Sequence, residues 1–259
     1  MEGRETMRLD HKVAVITGAG SGIGRASAII FAKEGAKIVV ADINDAGGEE
    51  TVASIKSNGG EAVFIHTDVS KGSDVQKLVE KTVQKFGKID ILFNVAGTPM
   101  GNIQIEKLDE ATWDRIYAVN VKSVFLTMKY AIPVMRKSGG GSILNLASMG
   151  GVRPLKGTNC YASSKAAVIH LSKAVALEVT QDNIRVNYIN PAAVDTPMLP
   201  QFRPEGMDLN EFYKGAKGSM PLGRIAQPED VAYAALYLAS EEASLITGTG
   251  IEVNGGRGI

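Results

Sequence analysis

The chain has 259 residues, enough for one large domain or two small ones, and its 28 lysine and arginine residues balance its 28 aspartate and glutamate residues. The resulting net charge of zero argues against a general role on nucleic acid or on a membrane surface, and no apolar run is long enough to span a bilayer. Cys160 is the single cysteine, so no intrachain disulfide can form, and we predict a cytoplasmic protein.

Strand-like apolar runs alternate with helix-like segments along the whole chain. Strands are predicted at 12–17, 37–41, 61–66, 89–93, 142–146, 184–189 and 250–253. Helices are predicted at 22–34, 49–57, 73–86, 109–137, 161–180 and 228–240, with Asp109 as an N-cap and a kink at Pro133. This alternation predicts an α/β fold, a single-domain doubly wound parallel sheet of about seven strands with helices on both faces.

The first residues carry both charge signs and lack the apolar core of a signal peptide. We therefore predict a flexible N-terminal extension at 1–8, followed by a single domain at 9–259.

A glycine-rich loop, TGAGSGIG at 17–24, joins the first predicted strand to the first predicted helix. Glycines there permit a tight turn and the close approach of a pyrophosphate to backbone N–H groups at a helix N-terminus. Such a loop alone is weak evidence, but its position at the first strand–helix junction strengthens it. The loop predicts a Rossmann-like dinucleotide site that includes Gly18, Ser21, Gly22, Ile23 and Gly24.

Asp42 closes the second predicted strand, where a carboxylate accepts hydrogen bonds from the adenosine ribose. The same carboxylate repels a 2′-phosphate, and Arg25, the nearest cation, starts the helix instead of flanking the ribose. We therefore predict NAD as the cofactor in preference to NADP. Asp68 and Val69 follow the third strand and are candidates for contact with the adenine.

Tyr161 and Lys165 are four residues apart, which places both side chains on one face of a helix. A free tyrosine titrates near pH 10, and a nearby ammonium group lowers that pKa. The pair therefore predicts a general acid/base, with the hydroxyl of Ser148 presented to the same reacting oxygen. Taken alone, a tyrosine and a lysine at this spacing are more often an ordinary surface pair, and the rest of the chain decides between the two interpretations.

With these pieces placed, the chain resembles the short-chain dehydrogenase/reductase family over nearly its whole length. The matching segments, in chain order, are TGAGSGIG at 17–24, Asp68-Val69, NVAG at 94–97, Asn120, Ser148, YASSK at 161–165, Asn190-Pro191, Thr196-Pro197, GRIAQPEDV at 223–231 and TGTGIEVNGG at 247–256.

The resemblance implies a catalytic role for four residues. Tyr161 would be the acid/base, and Lys165 would hold the nicotinamide ribose and lower the tyrosine pKa. Ser148 would orient the substrate oxygen, and Asn120 would support a water that links Lys165 to solvent.

The resemblance also implies that Thr196 and the backbone of Val194 hold the nicotinamide carboxamide. The remaining cofactor-binding positions carried over are Asn94, Ala96, Gly97, Tyr161 and Pro191. Two residues depart from the family pattern: Val95 replaces an asparagine, and Ala192 replaces a glycine and narrows the space beside the nicotinamide.

The implied activity is reversible hydride transfer between NAD(H) and a secondary alcohol or ketone, with no metal site, and NAD preference favours alcohol oxidation. The segment at 195–222 is predicted to form a lid whose apolar side chains suggest an apolar or alicyclic small-molecule substrate. Candidate substrate contacts are Met149, Thr158, Asn159 and Met198. Arg153 and Lys156 could recognise an anionic group, although surface solvation is the better explanation of both.

Two other functions stay open from the sequence. An NADPH-dependent 3-oxoacyl-carrier-protein reductase is the main alternative, and Asp42 argues against it. A non-catalytic dinucleotide sensor is the other, and the presence of all four catalytic residues argues against it. By the same resemblance we expect a homotetramer, with subunits packed through the helices at 109–137 and 161–180.

Overall fold

Seven parallel strands form one sheet in the order β3-β2-β1-β4-β5-β6-β7. This computed structural model describes residues 7–259, so residues 1–6 of the predicted extension lie outside the described part of the chain. The strands are Val13–Thr17 (β1), Lys37–Asp42 (β2), Ala62–His66 (β3), Ile91–Asn94 (β4), Gly141–Leu146 (β5), Ile184–Pro191 (β6) and Gly250–Val253 (β7).

Helices cover both faces of the sheet. They are Gly22–Lys33 (α1), Asp45–Ser57 (α2), Gly72–Phe86 (α3), Glu110–Tyr117 (α4), Ser123–Lys137 (α5), Asn159–Val179 (α6), Leu209–Gly218 (α7) and Pro228–Ala239 (α8). Residues of α1, α2 and α8 build the core on one face, and residues of α3, α5 and α6 build the core on the other. The predicted single-domain, doubly wound α/β fold is confirmed.

Strand β1 illustrates why the strands read as continuous apolar runs. Ala14 and Ile16 belong to the core on one face, whereas Val15 belongs to the core on the other. Because side chains alternate across a strand and both faces are covered by helices, most positions of a central parallel strand are apolar.

Two helices differ from the sequence prediction. Helix α2 begins at Asp45 and not at residue 49, because the side chain of Asn44 accepts a hydrogen bond from Gly47 N at 3.1 Å and caps the helix. Gly48 is retained within it because any side chain there would collide with the ring of Phe64. Helix α7 lies in the lid segment and was not predicted at all.

The long predicted helix at 109–137 is one continuous helical segment with a local irregularity. Asp109 caps it as predicted, since its carboxylate accepts from Thr112 N at 2.8 Å. A π-helical turn at 118–122 separates α4 from α5, and the helix continues past Pro133 to Lys137. Such π turns widen a helix by one residue and are frequent at functional sites.

The strand order reverses between β1 and β4, which makes the crevice beyond their carboxyl ends the expected ligand site. Within the described residues, no helix is both long and apolar enough to cross a membrane. At the start of the described chain, Arg8 forms an ion pair with Glu242 at 2.7 Å.

Candidate active site

The loop between β1 and α1 has the backbone geometry of a dinucleotide cradle. Gly18 and Gly22 adopt positive φ angles of 66° and 49°, which L side chains rarely adopt. A Cβ atom at Gly18 would lie 2.8 Å from the Cα of Ala96, so only glycine fits against the neighbouring strand. The loop therefore leaves the N-terminus of α1 open toward the crevice, where its N–H groups can bind a pyrophosphate.

The residues predicted from the sequence to bind the cofactor come together around one cleft of about 300 Å³. Those that line it are Gly18, Ser21, Gly22, Ile23, Asp42, Asp68, Val69, Ala96, Gly97 and Thr196. Pro191 and Val194 line the adjoining cavity, whereas Gly24 and Asn94 lie behind the walls. The shape and the donor set of this cleft fit a nicotinamide dinucleotide.

The acidic end of the cleft is built around Asp42. Its carboxylate accepts from Gly20 N at 2.8 Å and from Asn44 N at 2.9 Å, which fixes it beside the glycine loop. Arg25 is held elsewhere, because its guanidinium donates to Gly20 O at 2.6 Å and to Glu50 at 2.7 Å. Among the described residues, no lysine or arginine lines this cleft.

A buried polar network supports the end of β4. The side-chain amide of Asn94 donates to Asn145 at 2.8 Å, and Asn145 donates to Ser172 at 2.9 Å. Thr17 accepts from the backbone of Val95 at 3.1 Å, so the substitution of valine in the family pattern leaves the loop anchored. The sequence reasoning missed Asn145, although a polar residue inside the apolar run 142–146 is a detectable signal.

A second cavity of about 420 Å³ adjoins the cofactor cleft, and Gly97, Thr196 and Met198 line both. It contains Ser148, Tyr161 and Lys165, which come from the end of β5 and the first turns of α6. The predicted substrate residues Met149, Thr158 and Met198 also line it. Asn159 does not, because its side chain donates to Ile103 O at 2.8 Å and accepts from Cys160 N at 2.7 Å.

Tyr161 and Lys165 stack on one face of α6, as their spacing predicts. The Lys165 Nζ atom lies 5.8 Å from the centre of the Tyr161 ring and donates to Leu146 O at 2.7 Å. The lid adds Phe202, whose ring packs edge-on against Tyr161 with centroids 5.0 Å apart. The sequence could not show this contact, because it depends on how the lid folds over α6.

The sequence predicts that Lys165 lowers the pKa of Tyr161. With the groups that the protein itself supplies, that pKa is raised instead. Burial raises the pKa of Tyr161 to about 12, and a hydrogen bond with Ser148 offsets only part of that effect. Burial also lowers the pKa of Lys165 to about 8, since its ammonium has a backbone carbonyl as partner and no carboxylate. Burial is therefore the main cause of both pKa shifts.

Asn120 lies in the π-helical turn and is only 1% exposed. Its side chain accepts from Thr98 N at 2.8 Å and donates to Thr98 O and to Ser164, each at 3.1 Å. A Cβ atom at Gly97 would lie 3.4 Å from the Asn120 oxygen and 3.7 Å from Lys165 Nζ, so the three residues meet at one point. The predicted buried, hydrogen-bonded position of Asn120 matches this placement.

Comparison with known proteins agrees with this architecture. The family model described as enoyl-(acyl-carrier-protein) reductase matches residues 18–257. An uncharacterized oxidoreductase of Thermotoga maritima is 41% identical, over 96% of this chain and 98% of the relative. The 2,5-dichloro-2,5-cyclohexadiene-1,4-diol dehydrogenase LinX of Sphingobium indicum is 40% identical, over 96% of this chain and 97% of the relative.

Among solved structures, the 3-ketoacyl-(acyl-carrier-protein) reductase of Brucella melitensis, complexed with NADH, is 40% identical and superimposes with a TM-score of 0.90. The match covers 97% of this chain and 100% of that chain. The protein belongs to the short-chain dehydrogenase/reductase family. It is therefore an oxidoreductase of a family that binds nicotinamide dinucleotides.

The second cavity of this short-chain dehydrogenase also has lining residues that were not predicted individually, and three of them bear on its shape and charge. Phe202 and Glu211 come from the lid, and Arg257 follows the last strand. Lys156, which the sequence interpretation left between substrate binding and surface solvation, lines the cavity and is exposed. Arg153 is exposed and is not part of the lining.

Proposed function

We propose that the protein transfers a hydride between NAD(H) and an apolar or alicyclic secondary alcohol or ketone. The observation that carries the proposal is that the two cavities adjoin and have lining residues in common. Ser148, Tyr161 and Lys165 face a cavity that opens into the dinucleotide cleft at Gly97 and Thr196. A substrate oxygen held at the tyrosine would therefore lie next to the end of the cleft that a nicotinamide would occupy.

The chain's own residues supply orientation and the proton. A bound nicotinamide dinucleotide carries the hydride. Ser148 donates a hydrogen bond to the substrate oxygen, and Tyr161 exchanges the proton with that same oxygen. Lys165, fixed by Leu146 O at 2.7 Å, stabilises the phenolate that forms when Tyr161 gives up its proton.

The raised pKa of Tyr161 bears on the direction of reaction. With a pKa of about 12, Tyr161 is protonated at neutral pH and is ready to donate to a ketone oxygen. NAD preference favours oxidation, so the two arguments point in opposite directions. We propose that the enzyme works in both directions. Protonated Tyr161 is suited to donating its proton to a ketone oxygen, which is the proton transfer that ketone reduction needs.

Asp42 supports the choice of NAD over NADP. Its carboxylate is fixed beside the glycine loop, and the nearest arginine, Arg25, is already paired with Glu50. A 2′-phosphate would meet this carboxylate with no neighbouring cation to offset the repulsion. The Brucella melitensis relative is described as complexed with NADH, which is consistent with this choice.

The apolar cavity walls support an alicyclic substrate. Side chains from the lid that line the cavity include Leu199, Phe202, Met207 and Phe212. The name of the Sphingobium indicum relative gives it a cyclic diol as substrate, which has secondary alcohols on a ring. These two observations together favour a ring-shaped secondary alcohol for this protein.

A cofactor titration followed by a substrate panel tests the proposal. We expect NADH to bind more tightly than NADPH and the enzyme to oxidise cyclohexanol and substituted cyclic secondary alcohols with NAD. Preference for NADPH, together with turnover of a 3-oxoacyl thioester, would favour a 3-oxoacyl-carrier-protein reductase instead. Tight NADH binding without turnover of any alcohol or ketone would favour the non-catalytic sensor.

The rate of ketone reduction is expected to fall as the pH rises through about 8. Lys165, whose pKa burial lowers to about 8, then loses the positive charge that stabilises the forming phenolate. Tyr161, with a pKa of about 12, stays protonated over this range and does not cause the fall. The measurement is kcat for reduction of a cyclic ketone across this range. The control variant is Lys173→Met, because Lys173 is exposed on the same helix. Its kcat should fall with pH as in the wild-type enzyme. A wild-type kcat that stays constant well above pH 8 would contradict the prediction.

We also propose that the enzyme is a homotetramer. The long helical segment of α4 and α5 exposes Trp113 and Phe125, and α6 exposes Leu177, which is 84% accessible. These are the helices predicted to pack between subunits, and large exposed apolar side chains mark such surfaces. Sedimentation velocity should give the mass of four chains, whereas a stable monomer would contradict the proposal.

A further inference from the structure

A cation that the proposed chemistry does not use lines the substrate cavity. Arg257 lies on the loop after β7 and shares the cavity with Ser148 and Tyr161. The walls of this cavity are otherwise largely apolar, and its charged side chains are Lys156, Lys165, Glu211 and Arg257. Its lining therefore carries more positive than negative groups.

Arg257 differs from the other partly buried arginines. Arg8 and Arg25 form ion pairs with glutamates, and Arg185 donates to backbone carbonyls. The guanidinium of Arg257 makes no hydrogen bond or ion pair with the described residues, 7–259. Burial lowers its pKa, and no neighbouring carboxylate offsets that cost. Its guanidinium nitrogens keep access to solvent and have no partner among the described residues, so they are free to bind an anion that enters the cavity.

Hydrogen bonds of the backbone hold the loop that carries Arg257 at the cavity. Arg257 N donates to Asn254 O at 3.0 Å, and the Asn254 side chain accepts from Gly256 N at 3.0 Å. Leu222 N, at the end of the lid, donates to Gly255 O at 3.0 Å. Because the Asn254 side chain also donates to Glu252 of β7 at 3.2 Å, the loop is tied both to β7 and to the lid.

Nearby carboxylates in the chain do not serve as the partner. Glu252 is occupied, since it accepts from Asn190 at 2.6 Å and from Asn254 at 3.2 Å. Glu211 lines the same cavity from α7 but forms no ion pair with Arg257 in the described structure.

We propose that Arg257 binds a carboxylate of the substrate, so that the preferred substrate is an alicyclic secondary alcohol or ketone bearing that anion. This inference rests on the proposed function and names the substrate class of the same site. A guanidinium matches a carboxylate through two parallel N–H···O bonds, which fixes the orientation of the ring as well as its affinity. Lys156 on the cavity wall adds to the positive potential that attracts the anion.

A pair of ketones of the same shape tests the proposal: 4-oxocyclohexanecarboxylate and the neutral 4-oxocyclohexanecarboxamide. Turnover is followed with NADH, and binding by calorimetry. We expect the wild-type enzyme to prefer the carboxylate by about tenfold or more in kcat/KM, and Arg257→Met to lose that preference. Arg153→Met removes a cation outside the cavity lining and should keep the preference.

The outcomes separate this inference from the proposed function. Turnover of both ketones with equal kcat/KM, or a preference that survives in Arg257→Met, would overturn the carboxylate site and leave the proposed function standing. Carboxylate binding that Arg257→Met abolishes, without any turnover, would support the site and remove the proposed function. If Glu211→Gln also abolished the preference for the carboxylate ketone, Arg257 would act as the ion-pair partner of Glu211 and not as the carboxylate site. The inference would then fail. Arg257→Gln provides a second variant if the methionine variant does not fold.

Discussion

Tyr161→Phe is expected to lower kcat for ketone reduction and alcohol oxidation by about 100- to 10,000-fold, the usual contribution of general acid/base catalysis. The phenyl ring keeps the edge-on contact with Phe202, whose centroid lies 5.0 Å away, so the cavity retains its shape. Only the hydroxyl that exchanges the proton is lost. NADH affinity should therefore change little, and steady-state kinetics combined with an NADH titration separates the two effects.

The control for this experiment is Tyr233→Phe. Tyr233 is on α8, is 59% exposed and lines neither cavity. It should keep the wild-type kcat. A Tyr161→Phe enzyme with wild-type kcat would mean that another group moves the proton, and the mechanism given above would be incorrect.

Asp42→Asn is expected to shift the ratio of kcat/KM for NADH to that for NADPH by about 10- to 100-fold in favour of NADPH. The asparagine oxygen can still accept the hydrogen bond from Gly20 N, so the loop is preserved. The substitution removes the negative charge of the carboxylate, which in the proposed function accepts hydrogen bonds from the ribose hydroxyls and repels a 2′-phosphate. Hydrogen bonds to a charged group are worth about 1.5–3 kcal/mol, which gives this magnitude.

Asp45→Asn is the matched control, because Asp45 lies three positions along the chain, pairs with His66 and does not line the cofactor cleft. It should leave the cofactor ratio unchanged. An unchanged ratio in Asp42→Asn itself would mean that this carboxylate does not read the ribose, and the choice of NAD would lose its main support.

Much of the fold follows from local pattern. Alternating apolar runs and helical periodicity are sufficient to predict the parallel sheet, because its central strands are buried on both faces. The predicted start of α2 lies four residues too late, and α7 is not predicted. Both helices contain glycines, which usually end helices. Gly48 stays helical because its missing side chain lets α2 approach Phe64, and α7 is started by the Asp208 cap. Such tertiary contacts and caps override propensity.

The site divides in the same way. The Tyr161–Lys165 spacing alone predicts only that the two side chains share a helix face. The motifs in their order along the whole chain are what predict that these two residues act together with Ser148. The direction of the Tyr161 pKa was not predictable, since it depends on how deeply both groups are buried and on the bond from Lys165 to Leu146 O. The position of Arg257 was also not predictable, because this residue is distant from Tyr161 in the chain and reaches the same cavity only through the folded sheet and lid.

Isotope transfer tests the central claim most directly. NADH carrying deuterium at C4 of the nicotinamide is incubated with cyclohexanone and the enzyme, and the product is analysed by mass spectrometry and NMR. We expect cyclohexanol with one deuterium on the carbinol carbon from one of the two C4-labelled stereoisomers of NADH. The Tyr161→Phe enzyme should form about 100-fold less of this product, or less still, over the same time. Cyclohexanol without deuterium from both labelled stereoisomers, or no reduction of any cyclic ketone, would contradict hydride transfer at this site.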